Sequence, residues 1–251
     1  MESGIYAACS ALIARTQALD ILANNLANVN TAGYKGETQF YEALNAASAN
    51  PQQGALDAAV NQFGVLAGQE LNFSPGSLQS TGNALDIALQ GPGFLQVKTT
   101  AGVVYTRSGN LQESSKGVLE TSQGDPVLGV DPKGKLGPIV LPSGAPSISS
   151  DGTISVNGAL AGKISLVEAT SNAQLTPIGN AYFSAPSTDM HPAHGTSLQS
   201  GALESSNVNP IQAETDLITL QRHFDLLERA VKIFNTDFDQ AAATELPRIG
   251  A

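Results

Sequence analysis

The chain has 251 residues, and its 22 acidic residues against 12 Lys and Arg give a formal net charge of −10. This balance excludes nucleic acid as a main partner, because phosphate binding needs concentrated positive charge. A single cysteine, Cys9, excludes an internal disulfide framework. No run of ~18 apolar residues occurs, so we expect no membrane insertion. The opening Met1-Glu2-Ser3 lacks a basic and an apolar region, so we expect no cleaved signal peptide.

The first predicted element is a helix within residues 1–35. Residues 5–29 contain neither Pro nor Gly and are rich in the helix formers Ala and Leu. Apolar residues recur every seven positions, which predicts a seam for packing against another helix. The seam consists of Ile5, Leu12, Leu19 and Leu26. Gly33 is expected to end the helix in the left-handed conformation.

The middle of the chain, residues 71–190, is predicted to be a β domain. Short apolar runs recur about every ten residues and are separated by Asp-Gly, Asn-Gly and Lys-Gly pairs, which favour hairpin turns. This spacing predicts an antiparallel β-sandwich or irregular barrel. Residues 36–70 are predicted to form an extended linker, because residues 45–70 lack clear periodicity. Residues 191–209 are predicted to form a connecting loop.

The last predicted element is a helix and tail, residues 210–251. Asn209 is the expected N-cap, and Pro210 occupies the first turn, where proline is tolerated. Apolar residues alternate spacings of three and four, which predicts a coiled-coil seam. The seam consists of Leu217, Leu220, Phe224, Leu227, Val231, Phe234 and Phe238. The opposite face is interpreted as polar.

These elements predict a mainly β protein with α-helical ends, in which coiled-coil-forming N- and C-terminal helices flank the β domain. The two seams must bury their apolar side chains, and a period of 3.5 favours helices as partners. Helices of neighbouring copies can fill this role. The alternative is a pair of helices within one chain.

The titratable residues do not form a recognisable catalytic or metal site. His191 and His194 are separated by Pro192, and the sequence supplies no further ligand cluster. His223 and Asp225 are two residues apart on a predicted helix, so they point in different directions. We therefore expect no enzyme activity, no cofactor and no metal.

Three segments resemble the flagellar basal-body rod and hook family. They are residues 19–35 (LDILANNLANVNTAGYK), residues 82–97 with 105–109 (GNALDIALQGPGFLQV and YTRSG), and residues 201–210 with 221–224 (GALESSNVNP and QRHF). The motif residues carried by this resemblance are Asn24, Asn25, Leu26, Ala27, Asn28, Gly33, Ser206, Asn207, Val208 and Arg222. The segments occur in the family's order and span nearly the whole chain.

The resemblance implies a non-enzymatic structural subunit of the bacterial flagellar rod, which crosses the periplasm and transmits torque for motility. It implies terminal helices packed in an inner coiled-coil tube, with the β domain outside. The implied partners are other rod proteins, copies of the chain itself and the flagellar type III export apparatus, through which export occurs without cleavage. Within the family the chain is most similar to the proximal-rod member. A distal-rod or hook-type subunit is the alternative, and a secreted β-domain binding module is the alternative outside the family.

The asparagines at the end of the first helix have two interpretations. They can mark a helix that frays toward its cap, because Asn is a mediocre helix former. They can also form hydrogen bonds with neighbouring subunits, since the amide is both donor and acceptor.

Overall fold

The structure is a computed structural model that describes residues 2–42, 65–170 and 174–245. Two helices flank the strands: α1 is Glu2–Ala27 and α2 is Pro210–Glu245. The strands, in chain order, are β1 (Glu37–Glu42), β2 (Val65–Leu71), β3 (Leu78–Ser80), β4 (Ile87–Gln90), β5 (Phe94–Thr99), β6 (Gly102–Thr106), β7 (Leu111–Glu113), β8 (Leu119–Thr121), β9 (Leu128–Val130), β10 (Leu136–Pro138), β11 (Pro146–Ile148), β12 (Thr153–Val156), β13 (Ala159–Ile164), β14 (Leu166–Ala169), β15 (Thr176–Gly179), β16 (Tyr182–Ser184), β17 (Met190–Pro192), β18 (Ser197–Ser200) and β19 (Ala202–Glu204). A short 3₁₀ helix, Ser187–Asp189, precedes β17.

The described residues divide into two compact units. The helical unit comprises those in Met1–Ala27, Glu37–Glu70 and Asn209–Ala251, and the β unit comprises those in Asn28–Gly36 and Leu71–Val208. The helical ends and the antiparallel β region confirm the predicted fold class.

In the helical unit, α1 and α2 pack against each other, and β1 pairs with β2. Asn209 caps α2 as predicted, because its Oδ1 accepts hydrogen bonds from the main-chain N–H groups of Ile211 (3.1 Å) and Gln212 (3.3 Å). The predicted linker over residues 36–70 is corrected where it is described, since β1 and β2 satisfy each other's main-chain groups as a two-stranded sheet. The rest of that linker lies outside the described residues.

The β unit contains two larger antiparallel sheets. The first has six strands in the order β15-β16-β6-β5-β14-β17, and the second has five in the order β10-β9-β13-β12-β11. The Asn-Gly turn predicted between β12 and β13 is present, with φ of 52° at Asn157 and 82° at Gly158. Further two-stranded pairings join β18 to β4, β19 to β3 and β7 to β8.

The core of the β unit contains an aliphatic cluster and a separate aromatic cluster. The aliphatic cluster includes Leu95, Leu119 and Ile154, each with a fully buried side chain. In the aromatic cluster, the rings of Phe94 and Phe183 meet edge to face at 5.9 Å between centroids.

The predicted connecting loop over residues 191–209 is wrong, because β18, β19 and the last two residues of β17 lie in it. β18 pairs with β4 and β19 pairs with β3. The segment contains one proline and two glycines, and its strands are only three or four residues long. The strands that pair with β17, β18 and β19 are distant in the chain, so no local sequence pattern predicted these three strands. Among the described residues, neither helix has the length and apolarity required to span a membrane.

Candidate functional site

Three buried charged side chains, one from each signature segment, meet inside the β unit. Lys35 Nζ lies 2.7 Å from Glu204 Oε1, and Arg107 Nε lies 3.3 Å from Glu204 Oε2. Their side chains are at most 4% exposed. Burying a charged side chain is costly unless it is paired and hydrogen-bonded. The three charges of this ion cluster therefore depend on one another for a stable buried position.

The two sides of the Glu204 carboxylate receive different donors. Oε1 accepts from Lys35 and also from the main-chain N–H of Gly76, at 2.9 Å. Lys35 Nζ additionally donates to Ser74 O at 2.8 Å. The Lys35 ammonium and Glu204 Oε1 therefore each take part in two hydrogen bonds.

The Arg107 guanidinium contacts Oε2 of the Glu204 carboxylate and donates hydrogen bonds to two main-chain carbonyls. Its Nη1 donates to Gly93 O at 3.0 Å and its Nη2 donates to Leu89 O at 3.4 Å. The guanidinium carbon lies 5.7 Å from the centroid of the Phe94 ring. The cluster thus contains two cations and one anion, and main-chain carbonyls accept the hydrogen bonds that the carboxylate cannot.

The environment shifts the pKa of two members of the cluster. Burial lowers the pKa of the Lys35 ammonium, although its hydrogen bond to Glu204 acts against this shift. Burial alone would raise the pKa of the Glu204 carboxyl. The hydrogen bonds from Lys35 and Gly76 and the neighbouring positive charges together hold that pKa below its usual value. We take the cluster as ionised, because the short Lys35–Glu204 contact and the added donors favour the charged pair.

The segment Asn28–Gly36, which we call the N-terminal strap, belongs to the β unit although it follows α1. Gly33 N–H donates to the main-chain carbonyl of Glu204 at 2.7 Å. Gly36 N–H donates to Asn207 Oδ1 at 2.8 Å, and Asn207 Nδ2 donates to Asn72 O at 2.7 Å. Asn207 therefore holds the strap and residue 72 together through one amide.

Gly33 has the predicted left-handed backbone, with φ of 69°, but it does not cap α1, which ends at Ala27. Its role is close approach instead. A Cβ at this position would overlap the main-chain carbonyl of Arg107, so only glycine lets the strap lie against this part of the β unit.

Within the helical unit, Asn25 connects the end of α1 to the start of β1. Its Nδ2 donates to Glu37 O at 2.8 Å, and its Oδ1 accepts from Glu37 N–H at 2.9 Å. The side chain is buried. The side-chain amide of Asn25 therefore makes two hydrogen bonds within the chain, both to the main chain of Glu37. Asn28 Oδ1 accepts from Thr31 Oγ1 at 3.2 Å, which is local turn chemistry.

The buried face of α1 lies beside the predicted seam rather than on it. The buried side chains are Ala11, Ala14, Ala18, Ile21 and Asn25. Leu12, Leu19 and Leu26 are half-buried, and the side chain of Ile5 lies outside the described set. Alanines at the buried positions permit close approach of a neighbouring element. The leucine stripe therefore differs from the face buried within the chain, and its role as an assembly seam stays a prediction.

The predicted seam of α2 is more enclosed. Leu220 is buried, while Leu217, Phe224, Leu227 and Val231 are half-buried. Ala213, on the same face, is also buried. The side chains of Phe234 and Phe238 lie outside the described set. Since α1 and α2 pack together, the two-helix arrangement within one chain, which the sequence left as an alternative, is present.

Sequence reasoning missed a second apolar stripe on α2. Ile211, Ile218, Leu226 and Ile233 are between 51% and 76% exposed. Their spacings of seven, eight and seven residues place them along one line, opposite the seam, at 3.6 residues per turn. Arg222 is exposed on the same line, four residues from both Ile218 and Leu226. The spacing was readable, but polar neighbours led to the interpretation of a polar face.

The remaining motif residues lie at the ends of the two helices and in the connection before α2. Asn24 and Ala27 are exposed on α1, and Ser206 and Val208 are half-buried. Ser206 Oγ accepts from Val208 N–H at 3.2 Å, which is a local turn contact. The described residues contain no group of three or more His, Cys, Asp or Glu side chains placed to hold a metal ion.

Comparison with family descriptions gives three matches in order along the chain. Residues 5–35 match "Flagella basal body rod protein", residues 88–156 match "Flagellar hook protein FlgE/F/G D1 domain", and residues 199–244 match "Flagellar basal body rod FlgEFG protein C-terminal". The first match contains Lys35, the second contains Arg107 and the third contains Glu204. The ion cluster therefore joins residues from all three matched regions.

Individual relatives are similar over almost their full length. The flagellar basal-body rod protein FlgF of Escherichia coli is 34% identical, over 92% of this chain and 93% of its own. FlgF of Caulobacter vibrioides is 31% identical, over 90% of each chain. The rod protein FlgG of Bacillus subtilis is 30% identical, over 89% of this chain and 92% of its own.

Proposed function

Because the chain belongs to the flagellar basal-body rod protein family and is a structural, non-enzymatic subunit of that rod, most like the proximal-rod protein FlgF, we propose that α2 joins it to neighbouring subunits. The exposed stripe of Ile211, Ile218, Leu226 and Ile233 is the surface of that contact. The partners are copies of this chain and other rod proteins, whose helices bury the stripe in the assembled rod.

The observation that carries this proposal is the presence of apolar side chains on two opposite faces of one helix. A helix at the surface of a finished protein needs one apolar face, and its other face is polar. A regular line of exposed isoleucine and leucine side chains marks a binding surface. The seam side already packs within the chain, so the exposed line is the side available to other subunits.

The predicted seams have a second role in this proposal. Leu217, Leu220 and Leu227 fix the orientation of α2 by packing within the helical unit, and this orientation directs the exposed stripe outward. The partial exposure of Leu12 and Leu19 leaves apolar surface on α1 for the same assembly.

We also propose, from family membership, that the subunit is exported by the flagellar type III apparatus and lies in the periplasmic part of the rod. Only 14% of its residues are charged. A subunit that is surrounded by others tolerates such a composition.

The test introduces a charge into the exposed stripe. Ile218→Asp places a carboxylate where the assembled rod would bury it, and desolvating an unpaired charge costs several kcal/mol. In the free subunit this position stays in water, so the helix content should be unchanged. We expect a soluble, folded subunit by circular dichroism, no incorporation into isolated basal bodies, and non-motile cells.

Gln221→Asp is the matched control, because it adds the same charge at an exposed polar position of the same helix. It should retain motility. Wild-type motility of the Ile218→Asp strain would refute the stripe as an assembly surface. Loss of helix content in the purified Ile218→Asp subunit would show that the residue supports the subunit's own fold instead.

A further inference from the structure

We propose that the ion cluster of Lys35, Arg107 and Glu204 is a latch that closes the N-terminal strap onto the β unit. The β unit is then complete only when both ends of the chain are present. This property belongs to the single subunit and does not depend on the proposed assembly surface.

The cluster joins parts of the chain that are remote in sequence. Lys35 and Glu204 are 169 residues apart, yet they form a buried contact. Glu204 is fixed in β19, where it pairs with Leu78 of β3. Arg107 directly follows β6, a central strand of the six-stranded sheet. Two members of the cluster are therefore set by sheet pairing.

Lys35 is the member that can leave. The strap contains no strand, and its attachment includes main-chain hydrogen bonds and the Lys35–Glu204 ion pair. Gly33 and Gly36 donate their main-chain N–H groups to Glu204 O and Asn207 Oδ1. Because these acceptors lie at residues 204 and 207, the docking surface for the strap does not exist in a chain that ends before them.

The charge balance predicts which side chain controls the latch. Removing the Lys35 charge leaves Glu204 paired with Arg107, so one anion and one cation remain. Removing the Glu204 charge leaves two buried cations beside each other with no anion, which is strongly unfavourable. We therefore expect Glu204→Gln to open the strap more than Lys35→Met does.

Trypsin cleavage of the full chain after Lys35 reports the opening directly. In the wild-type protein the Lys35 side chain is fully buried, so this bond is protected. In Glu204→Gln we expect cleavage there to accelerate by at least about tenfold. Cleavage after Lys133 and Lys163, which are exposed on hairpins of the five-stranded sheet, should keep its wild-type rate.

The matched control is Asp151→Asn, which removes an ion pair from the surface of the same unit. Asp151 and Lys163 are 3.3 Å apart, and both side chains are more than half exposed. Exposed pairs contribute little to stability, so cleavage after Lys35 should not change in this variant.

A double variant tests the charge argument. Lys35→Met in the Glu204→Gln background removes one of the two unpaired cations. The double variant should therefore unfold at a higher temperature than Glu204→Gln alone, although each single change lowers the unfolding temperature. Simple additivity of the two losses would contradict a latch based on charge pairing.

Two results would overturn the proposal. The first is cleavage after Lys35 that is no faster in Glu204→Gln than in the wild type. The second is equal acceleration of cleavage after Lys35, Lys133 and Lys163, because the cluster would then support the whole unit.

If Glu204→Gln cannot be obtained folded, amide exchange in Lys35→Met tests the proposal instead. Amide exchange at Gly33 and Gly36 should accelerate by about tenfold while β5 is unchanged, and unchanged exchange at the two glycines would refute the latch.

Discussion

The β unit and the helical unit bury different kinds of side chains. The β unit encloses an aliphatic cluster, including Leu95, Leu119 and Ile154, and it also buries a paired ion cluster. The helical unit buries mainly alanines and Ile21 on α1, and it leaves most of the α2 seam half-buried. It also exposes a line of large apolar side chains.

This difference in buried side chains indicates which unit gains more stability from association with other subunits. Buried apolar area is the main stabilising contribution in a folded domain, and the β unit has it within one chain. The helical unit has surplus apolar surface on both helices, so it gains most from association. In the proposed function, the helical unit is therefore the part whose apolar surface neighbouring subunits bury.

The largest expected effect tests the contrast in the two cores. Leu119→Ala removes a fully buried side chain from the aliphatic cluster and should lower the free energy of unfolding by about 2–5 kcal/mol. Leu227→Ala, on the half-buried seam of α2, should cost about 1 kcal/mol in the free subunit. Urea unfolding, followed by circular dichroism at strand- and helix-sensitive wavelengths, measures both. Equal costs would mean that the helical unit is as self-sufficient as the β unit.

A somewhat smaller effect tests whether the strap belongs to the β unit. Gly33→Ala combines a left-handed backbone with overlap against the main chain of Arg107, and should cost about 2–4 kcal/mol. Gly158→Ala is the matched control, because φ there is 82° but no atom lies within 4 Å of the added Cβ. Its cost should be only the strain, about 1 kcal/mol. If the two variants unfold at the same temperature, the strap can move away without loss.

The smallest effect is a difference in acid response between the units. Burial acts to raise the pKa of the Glu204 carboxyl, but its hydrogen bonds and charged neighbours outweigh burial and lower that pKa. The Glu204 carboxylate therefore stabilises the fold above its unfolded pKa of 4.5, and this stabilisation is lost as the pH falls through the lowered folded pKa. Burial raises the pKa of Glu37 in the helical unit, so its effect has the opposite sign: stability is present below 4.5 and decreases as the pH rises through the folded pKa.

Region-resolved amide exchange between pH 3 and 6, corrected for the intrinsic rate, separates these two responses. Glu204→Gln should flatten the pH dependence of the β unit alone, and Glu37→Gln that of the helical unit alone. A Glu204→Gln variant whose β unit keeps the wild-type pH dependence would exclude this carboxylate as its source.

Local patterns in the sequence were sufficient for the two helices, the Asn209 cap and the Asn-Gly turn. Each depends on residues within a few positions of one another, where backbone sterics and local hydrogen bonds decide the structure. The same patterns identified the leucine stripe of α1, but they could not tell that the adjacent alanines are the buried ones. Which face of a helix is buried depends on what packs against it.

The motif residues were also visible in the sequence, but their contacts were not. Lys35, Arg107 and Glu204 occur in three separate segments and carry no local sign of being neighbours. β19 and β3 bring Glu204 to its place through pairing across more than a hundred residues. The sequence by itself determined the helical ends, the antiparallel β middle and the resemblance to the rod family. Only the tertiary structure decided that the ends of the β unit are joined by a buried ion cluster, because charge pairing in a core requires long-range pairing first.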